Sequence, residues 1–225
     1  MTRLLWKDYR LNRPLVILCV ATCGLVYLVG VGTQIASAWP QLPSSSDWAG
    51  MLVSSGTVAM YLTICFSGLF GGHAIACERG DRSANFLACL PPTKLQILAS
   101  KLTVSAVAMA SFWSCVLLTV YVIPPALVSQ PSHVGELATG SGVVSICVLT
   151  FGVGWMASAV LDKTTLPILV ALLSPVAVSI ALILVGSVLR IPQARVSEWS
   201  NLVSVTTGLS AFIAGSWYYC RRVEP

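Results

Sequence analysis

Charged residues are scarce in this chain. Lysine, arginine, aspartate and glutamate together make up 9% of its 225 residues, whereas a soluble domain usually carries about 25%. Because 56% of the residues are hydrophobic and the mean hydropathy is +0.84, too few charged side chains remain to cover a water-facing surface. The composition excludes a soluble enzyme and a disordered chain, and the length is typical of one domain, residues 1–225.

Long uncharged runs take the place of the missing charges. Six apolar runs of 18 to 27 residues span 15–38, 50–76, 102–128, 137–161, 166–189 and 202–219. At about 1.5 Å per residue, even the shortest extends about 27 Å, close to the roughly 30 Å of a bilayer's hydrocarbon core. The sequence therefore predicts an all-α integral membrane protein with six transmembrane helices.

The interiors of these runs also lack the groups that drive transport or catalysis. They contain no Asp, Glu, Lys or Arg, yet ion-coupled transporters need ionisable groups at mid-membrane. Lys163-Thr164 is the only Lys followed by Ser or Thr, and it lacks the glycines of a phosphate loop. Ser141 follows both histidines, which is the wrong order for a rhomboid-type serine site. We expect no catalytic residue and no energy source within this chain.

The sequence gives little support for a metal site or for disulfide bonds. His73 and Cys77 stand four residues apart with Glu78 adjacent, but a closed zinc site needs four ligands. Cys19 and Cys23 share a helical face and leave a heavy-metal role as a minor alternative. Since the eight cysteines lie in the runs or beside basic connections, we interpret them as small hydrophobic residues and expect no metal or cofactor.

The basic residues are distributed asymmetrically. The termini and the second and fourth connections hold 11 of the 13, namely Arg3, Lys7, Arg10, Arg13, Arg79, Arg82, Lys94, Lys101, Lys163, Arg221 and Arg222. Only Arg190 and Arg195 lie on the other side. Because basic loops stay in the cytoplasm, both termini are predicted to be cytoplasmic, in the cell's inner membrane. Residues 36–38 fit a signal-peptidase site, but the preceding apolar run is longer than such signals use.

The first 14 residues have an amphipathic pattern. Arg3, Lys7 and Arg10 repeat at i, i+4 and i+7 and so share one helical face. This pattern predicts an interfacial helix over 1–14 that ends at residues 12–14, where Pro14 turns the chain into the bilayer. An ordinary basic flank is the alternative.

The longest polar stretch is the cytoplasmic segment 77–101, between the second and third runs. Phe86, Leu87 and Leu90 form an apolar face of a short helix that ends at Pro91. Thr93 and Gln96 have the spacing of a capping box that begins the next helix. The segment is therefore predicted to present a short amphipathic helix below the membrane.

This segment resembles the corresponding loop of type 2 permeases of ATP-binding cassette (ABC) transporters. The resemblance lies in Glu78-Arg79, the Phe86-Leu87-Ala88-Cys89-Leu90-Pro91 run, Thr93-Lys94 and Lys101-Leu102, together with the six spans. The family usually has Gly-Thr-x-Glu before the apolar face, where this chain has Arg82-Ser83-Ala84-Asn85. The loop helix of that family is a coupling helix that docks on a cytoplasmic ATPase.

The resemblance implies an export permease that pairs with a second permease chain, while ATP and Mg bind to the partner ATPase. The ATPase-coupling residues it implies are Glu78, Arg79, Arg82, Phe86, Leu87 and Leu90, with a second contact at Asp162 and Lys163. Alternatively, Phe86 and Leu87 insert into the lipid interface. The competing functions are a membrane scaffold or assembly factor without transport, and an intramembrane enzyme or passive channel.

Small residues recur at four-residue spacing in the second and third runs. The pairs are Gly68 with Gly72, Ser67 with Gly71, and Ala106 with Ala110. Such spacing lets helices approach closely. We expect most of these residues to pack within one subunit, with a dimer face on the second span as the alternative.

Overall fold

The computed structural model describes residues 2–39, 43–77, 93–123, 140–161, 163–190 and 193–222. Every regular element within these ranges is a helix. The helices are α1 (Thr2–Ala38), α2 (Ser45–His73), α3 (Lys94–Leu117), α4 (Gly140–Val160), α5 (Thr165–Leu189) and α6 (Gln193–Arg222), and a π-helical turn, Leu118–Val122, extends α3. Helices α1 to α5 are long and apolar enough to cross a membrane, and α6 is 30 residues long. The chain is a multi-pass membrane protein.

The helices occur in the predicted order, but most begin before their apolar runs. Helix α3 starts at Lys94 because Thr93 caps it as predicted: the Gln96 amide donates to Thr93 Oγ1 (3.3 Å), and the Thr93 amide donates to Gln96 Oε1 (3.0 Å). The same reciprocal box begins α2, where the Ser44 amide donates to Asp47 Oδ2 at 2.9 Å. Apolar runs mark the lipid-crossing part of a helix, whereas the caps set where it starts.

The predicted end of the N-terminal helix at residues 12–14 is wrong. Helix α1 continues through Pro14 to Ala38 without a break. A proline removes one backbone hydrogen bond, but transmembrane helices tolerate it when neighbouring contacts hold the chain in line. Here Asn12 Nδ2 donates to the Asp8 carbonyl (2.9 Å), and both side chains are buried. Asp8 also accepts a hydrogen bond from Ser100 of α3, so the part of α1 before Pro14 is packed against another helix.

Helix α4 lies at the centre of the bundle and packs against α2, α5 and α6. Its closest approach is to α6, where a Cβ on Gly152 would lie 1.9 Å from the carbonyl oxygen of Gly208. A Cβ on Gly208 would in turn lie 2.5 Å from the carbonyl oxygen of Val148. Only glycine permits this backbone contact, so these two positions fix the distance between α4 and α6.

The small residues of α2 pack inside the chain. A Cβ on Gly71 would lie 2.5 Å from the Phe151 carbonyl oxygen of α4, and one on Gly72 would lie 2.8 Å from the Ile168 amide of α5. Gly68 faces Leu172 of α5. This face of α2 is occupied by helices of the same chain. Packing within one subunit is therefore favoured over a dimer face on the second span.

Helices α1 and α5 lie at the periphery and expose apolar side chains. Leu28 is 70% exposed and Val188 is 80% exposed, as expected for residues that face lipid. Pro175 lies inside α5 and cannot donate to the carbonyl of Ala171, but Ser174 Oγ donates to that carbonyl at 2.7 Å. The hydroxyl thus replaces the missing donor, and α5 continues through its proline.

Candidate functional site

Most of the predicted coupling residues fall outside the described residues. These are Glu78, Arg79, Arg82, Phe86, Leu87, Leu90 and Asp162. Of the predicted interfacial residues, Arg3 has a side chain that also falls outside them. Lys163 is exposed in the connection between α4 and α5. On α1, Arg10 is exposed and Lys7 is half-buried. The coupling helix itself therefore remains a prediction. The structure describes the helices that precede and follow it, α2 and α3.

A buried polar cluster lies where those two helix ends meet α1. Lys101 Nζ donates to the carbonyl oxygen of Ala74 at 2.9 Å and lies 3.8 Å from Asp8 Oδ1. Ser100 Oγ donates to Asp8 Oδ2. Asp8 and Lys101 are each 3% exposed, and Ser100 is fully buried. The cluster thus joins α1, the end of α2 and the start of α3 through charged and polar contacts away from water.

The position of each group in the cluster follows from its helix. Ala74 is the C-terminal cap of α2, so its carbonyl has no partner within that helix and carries the negative end of the helix dipole. Lys101 supplies the missing donor and a compensating charge. The Asp8 carboxylate then balances the ammonium group, which a buried charge requires. We interpret the arrangement as a polar contact that holds three helices together at the ends of the segment 78–92.

Neither Asp8 as a site residue nor the burial of Lys101 is predicted from the sequence. Lys101 enters there as a basic flank of the third span and as part of the resemblance, and Asp8 has no predicted role. One signal was present, because Asp8 is the only acidic residue among the first 46. An isolated acid in a basic segment needs a partner when it is buried. The partner lies 93 residues further along the chain, so only the packing of α1 on α3 identifies it.

A cleft of about 370 Å³ opens between α3, α4 and α6, with α2 at its base. Trp113, Phe151 and Phe212 form much of its wall, and Ser67 and Ser105 add hydroxyl groups. Ser105 is buried, and Ser67 Oγ lies 2.8 Å from Thr150 Oγ1. Within the described residues, the lining contains no ionisable side chain other than the thiol of Cys147. Such walls suit an apolar ligand better than an ion.

Most hydroxyl groups inside the spans bond to their own helices. Back-bonds of 2.6 to 3.1 Å to carbonyls three or four residues earlier are made by Thr63, Ser67, Thr119, Ser145, Thr150 and Ser174. Three pairs also link helices: Ser67 pairs with Thr150, Thr119 Oγ1 lies 2.5 Å from the Tyr27 hydroxyl oxygen, and Thr63 Oγ1 lies 3.7 Å from Cys147 Sγ. These residues stabilise the bundle, and Ser67 alone of the six also lines the cleft.

Cysteines and histidines form no metal cluster in the part of the chain that the structure describes, where no three potential ligands come together. Cys19 and Cys147 are buried among apolar side chains. No disulfide joins any two cysteines of the described ranges. Their surroundings are those of small hydrophobic residues.

The chain was compared with protein-family models, with curated proteins and with solved structures. No family model, no curated protein and no solved structure matches it.

Proposed function

We propose that this chain is the membrane-spanning permease subunit of an ABC transporter, and that a separate cytoplasmic ATPase drives it through the segment 78–92. The proposal joins the sequence resemblance to one structural observation, the buried cluster of Asp8, Ser100 and Lys101. A second permease chain completes the transporter, ATP and Mg bind to the ATPase, and the direction of transport is export.

The cluster supports this function because of where it lies. Both ends of the segment 78–92 enter helices that the cluster holds: Lys101 bonds to the end of α2 and belongs to the start of α3. Asp8 adds α1 to the same unit. A push on the segment would thus move three helix ends together instead of bending one. Rigid coupling of this kind is what a lever between an ATPase and a helix bundle requires.

The cleft between α3, α4 and α6 supports an apolar cargo. Its aromatic walls and scattered hydroxyl groups provide van der Waals surface and few fixed charges. A lipid-like, peptide or drug-like molecule fits these walls better than a bare ion. A scaffold needs no such cleft, and this difference favours transport over the alternative of a non-transporting assembly factor.

The docking proposal predicts a large effect from two substitutions in the coupling helix. Phe86→Asp with Leu87→Asp should abolish both association with the ATPase and ATP-stimulated transport, since it places two charges on the apolar contact face. The measurement is co-purification of the tagged chain with the ATPase encoded by a neighbouring reading frame, followed by ATP hydrolysis in proteoliposomes.

A matched control places the same two aspartates at another exposed apolar site. Val188→Asp with Leu189→Asp also replaces two adjacent exposed apolar residues, but at the far end of α5. This control should keep the ATPase bound. Full association and activity of the Phe86/Leu87 variant would refute the docking proposal. Uphill transport by the isolated chain, reconstituted alone, would refute the need for a separate ATPase.

The orientation is also a proposal, with both termini in the cytoplasm and the chain in the cell's inner membrane. A protease-cleavable tag after Pro225 should be removed in inverted vesicles and protected in intact spheroplasts. The same tag inserted after Leu42, in the connection between α1 and α2, should give the opposite pattern. Protection of the C-terminal tag in inverted vesicles would contradict the basic-residue rule for this chain.

A further inference from the structure

An apolar groove of about 690 Å³ runs between α1 and α3, on the outside of the bundle. It is separate from the cleft described above, which lies on the other side of α3. Val16 and Val20 of α1 face Val107 and Ala108 of α3 across it, and Trp6 and Tyr9 lie at one end. The aromatic rings of Trp6 and Tyr9 are 5.8 Å apart. Paired aromatic side chains of this kind are typical of the level of lipid headgroups.

The groove extends along two helices that run in the same direction. Asp8 contacts Ser100 near one end of the pair, and Tyr27 contacts Thr119 near the other. The lining of α3 extends over residues 103–115, about 18 Å at 1.5 Å per residue. One leaflet contributes about 15 Å of the hydrocarbon core. The groove is therefore as long as an acyl chain of one leaflet.

The exposed charges of α1 beside the groove have one sign. Arg13 is exposed and lies four residues after Tyr9 and three before Val16, so it shares the face of α1 that forms the groove. Arg10 is exposed nearby. Helices α1 and α3 contain a single acidic residue, Asp8, and it is buried against Ser100 and Lys101. The two helices thus carry exposed cations beside the groove and no exposed carboxylate.

From these observations we infer that the groove binds one acyl chain of an anionic glycerophospholipid, with the headgroup phosphate at Arg13 and Arg10. The apolar walls hold the chain, and the arginines select the negative charge. This inference depends on the shape and charge of the groove and is independent of the proposed function.

Native mass spectrometry of the full chain tests the inference. The chain is exchanged into nanodiscs of equal parts phosphatidylglycerol and phosphatidylcholine, released, and the retained lipid is identified. Wild type should retain phosphatidylglycerol in preference to phosphatidylcholine, and Arg13→Gln should lower this preference about fivefold. Lys163→Gln removes the same charge at an exposed site away from the groove and should leave the preference within twofold.

A second variant tests the groove itself. Val107→Trp fills the groove from a side chain that is 60% exposed, and it should remove most retained phosphatidylglycerol. Val185→Trp, on the outer surface of α5 and 49% exposed, should have no such effect. Equal retention of both lipids by wild type would overturn the headgroup assignment. Unchanged retention by Val107→Trp, or a second copy of the chain bound there in place of lipid, would overturn the groove assignment.

Discussion

Replacing Lys101 with methionine should destabilise the folded chain by about 3–5 kcal/mol. The change removes the ammonium group that lies beside the Asp8 carboxylate and bonds to the Ala74 carbonyl, and so breaks a buried ion pair from one side. Removal of one partner from a buried ion pair typically has a cost of this size. Thermal or SDS-induced unfolding in lipid-detergent bicelles, followed by circular dichroism, measures the loss.

Two further variants identify the cause. Lys163→Met removes an exposed lysine and should change stability by less than about 0.5 kcal/mol. The double variant Asp8→Asn with Lys101→Met removes both charges of the pair and should recover at least half of the loss. If Lys101→Met unfolds no earlier than Lys163→Met, the cluster does not hold the three helices together.

Replacing Gly152 with alanine should destabilise the bundle on the order of 3 kcal/mol. The new Cβ would lie 1.9 Å from the carbonyl oxygen of Gly208, a backbone atom that cannot move unless α6 does. The two helices must separate, and they lose contacts along their length as a result. Gly208→Ala should have a similar effect, since its Cβ meets the carbonyl oxygen of Val148. Unfolding in bicelles again provides the measurement.

Gly24→Ala is the matched control for this pair. Gly24 also lies inside a transmembrane helix, but nothing is within 4 Å of a Cβ placed there. Alanine favours a helix interior over glycine by about 1 kcal/mol, so this variant should be neutral or slightly stabilising. Equal stabilities of the Gly152 and Gly24 variants would show that α4 and α6 are not held together by backbone contact.

Sequence patterns predicted the class and the helices well, because both depend on local composition. The uncharged runs identified the six helices, and Thr93 with Gln96 identified the start of α3 to the residue. The pattern around Pro14 was misleading. A proline after a polar segment ordinarily ends a helix, but Asp8 before it is buried against Ser100 of α3, a contact that no local rule includes.

The candidate site was less predictable from sequence than the fold. The resemblance favours the segment 78–92 as the site and includes Lys101 only as the basic residue that opens the third span. Whether a lysine at a helix end is solvated or buried depends on which helices surround it. Lys101 contacts Asp8 and Ala74, which are 93 and 27 residues away in the sequence. Because the contacts are so distant along the chain, a sequence pattern does not indicate them.

Composition alone was sufficient to place this protein in a bilayer, because a chain with so few charges has no other way to cover its surface. The order of its helices and their caps follow from nearest neighbours along the chain. The partners of Asp8 and Lys101, the glycines in backbone contact and the groove between α1 and α3 came from the folded arrangement. These features arise between residues distant in sequence, where packing geometry, rather than local preference, sets the free energy.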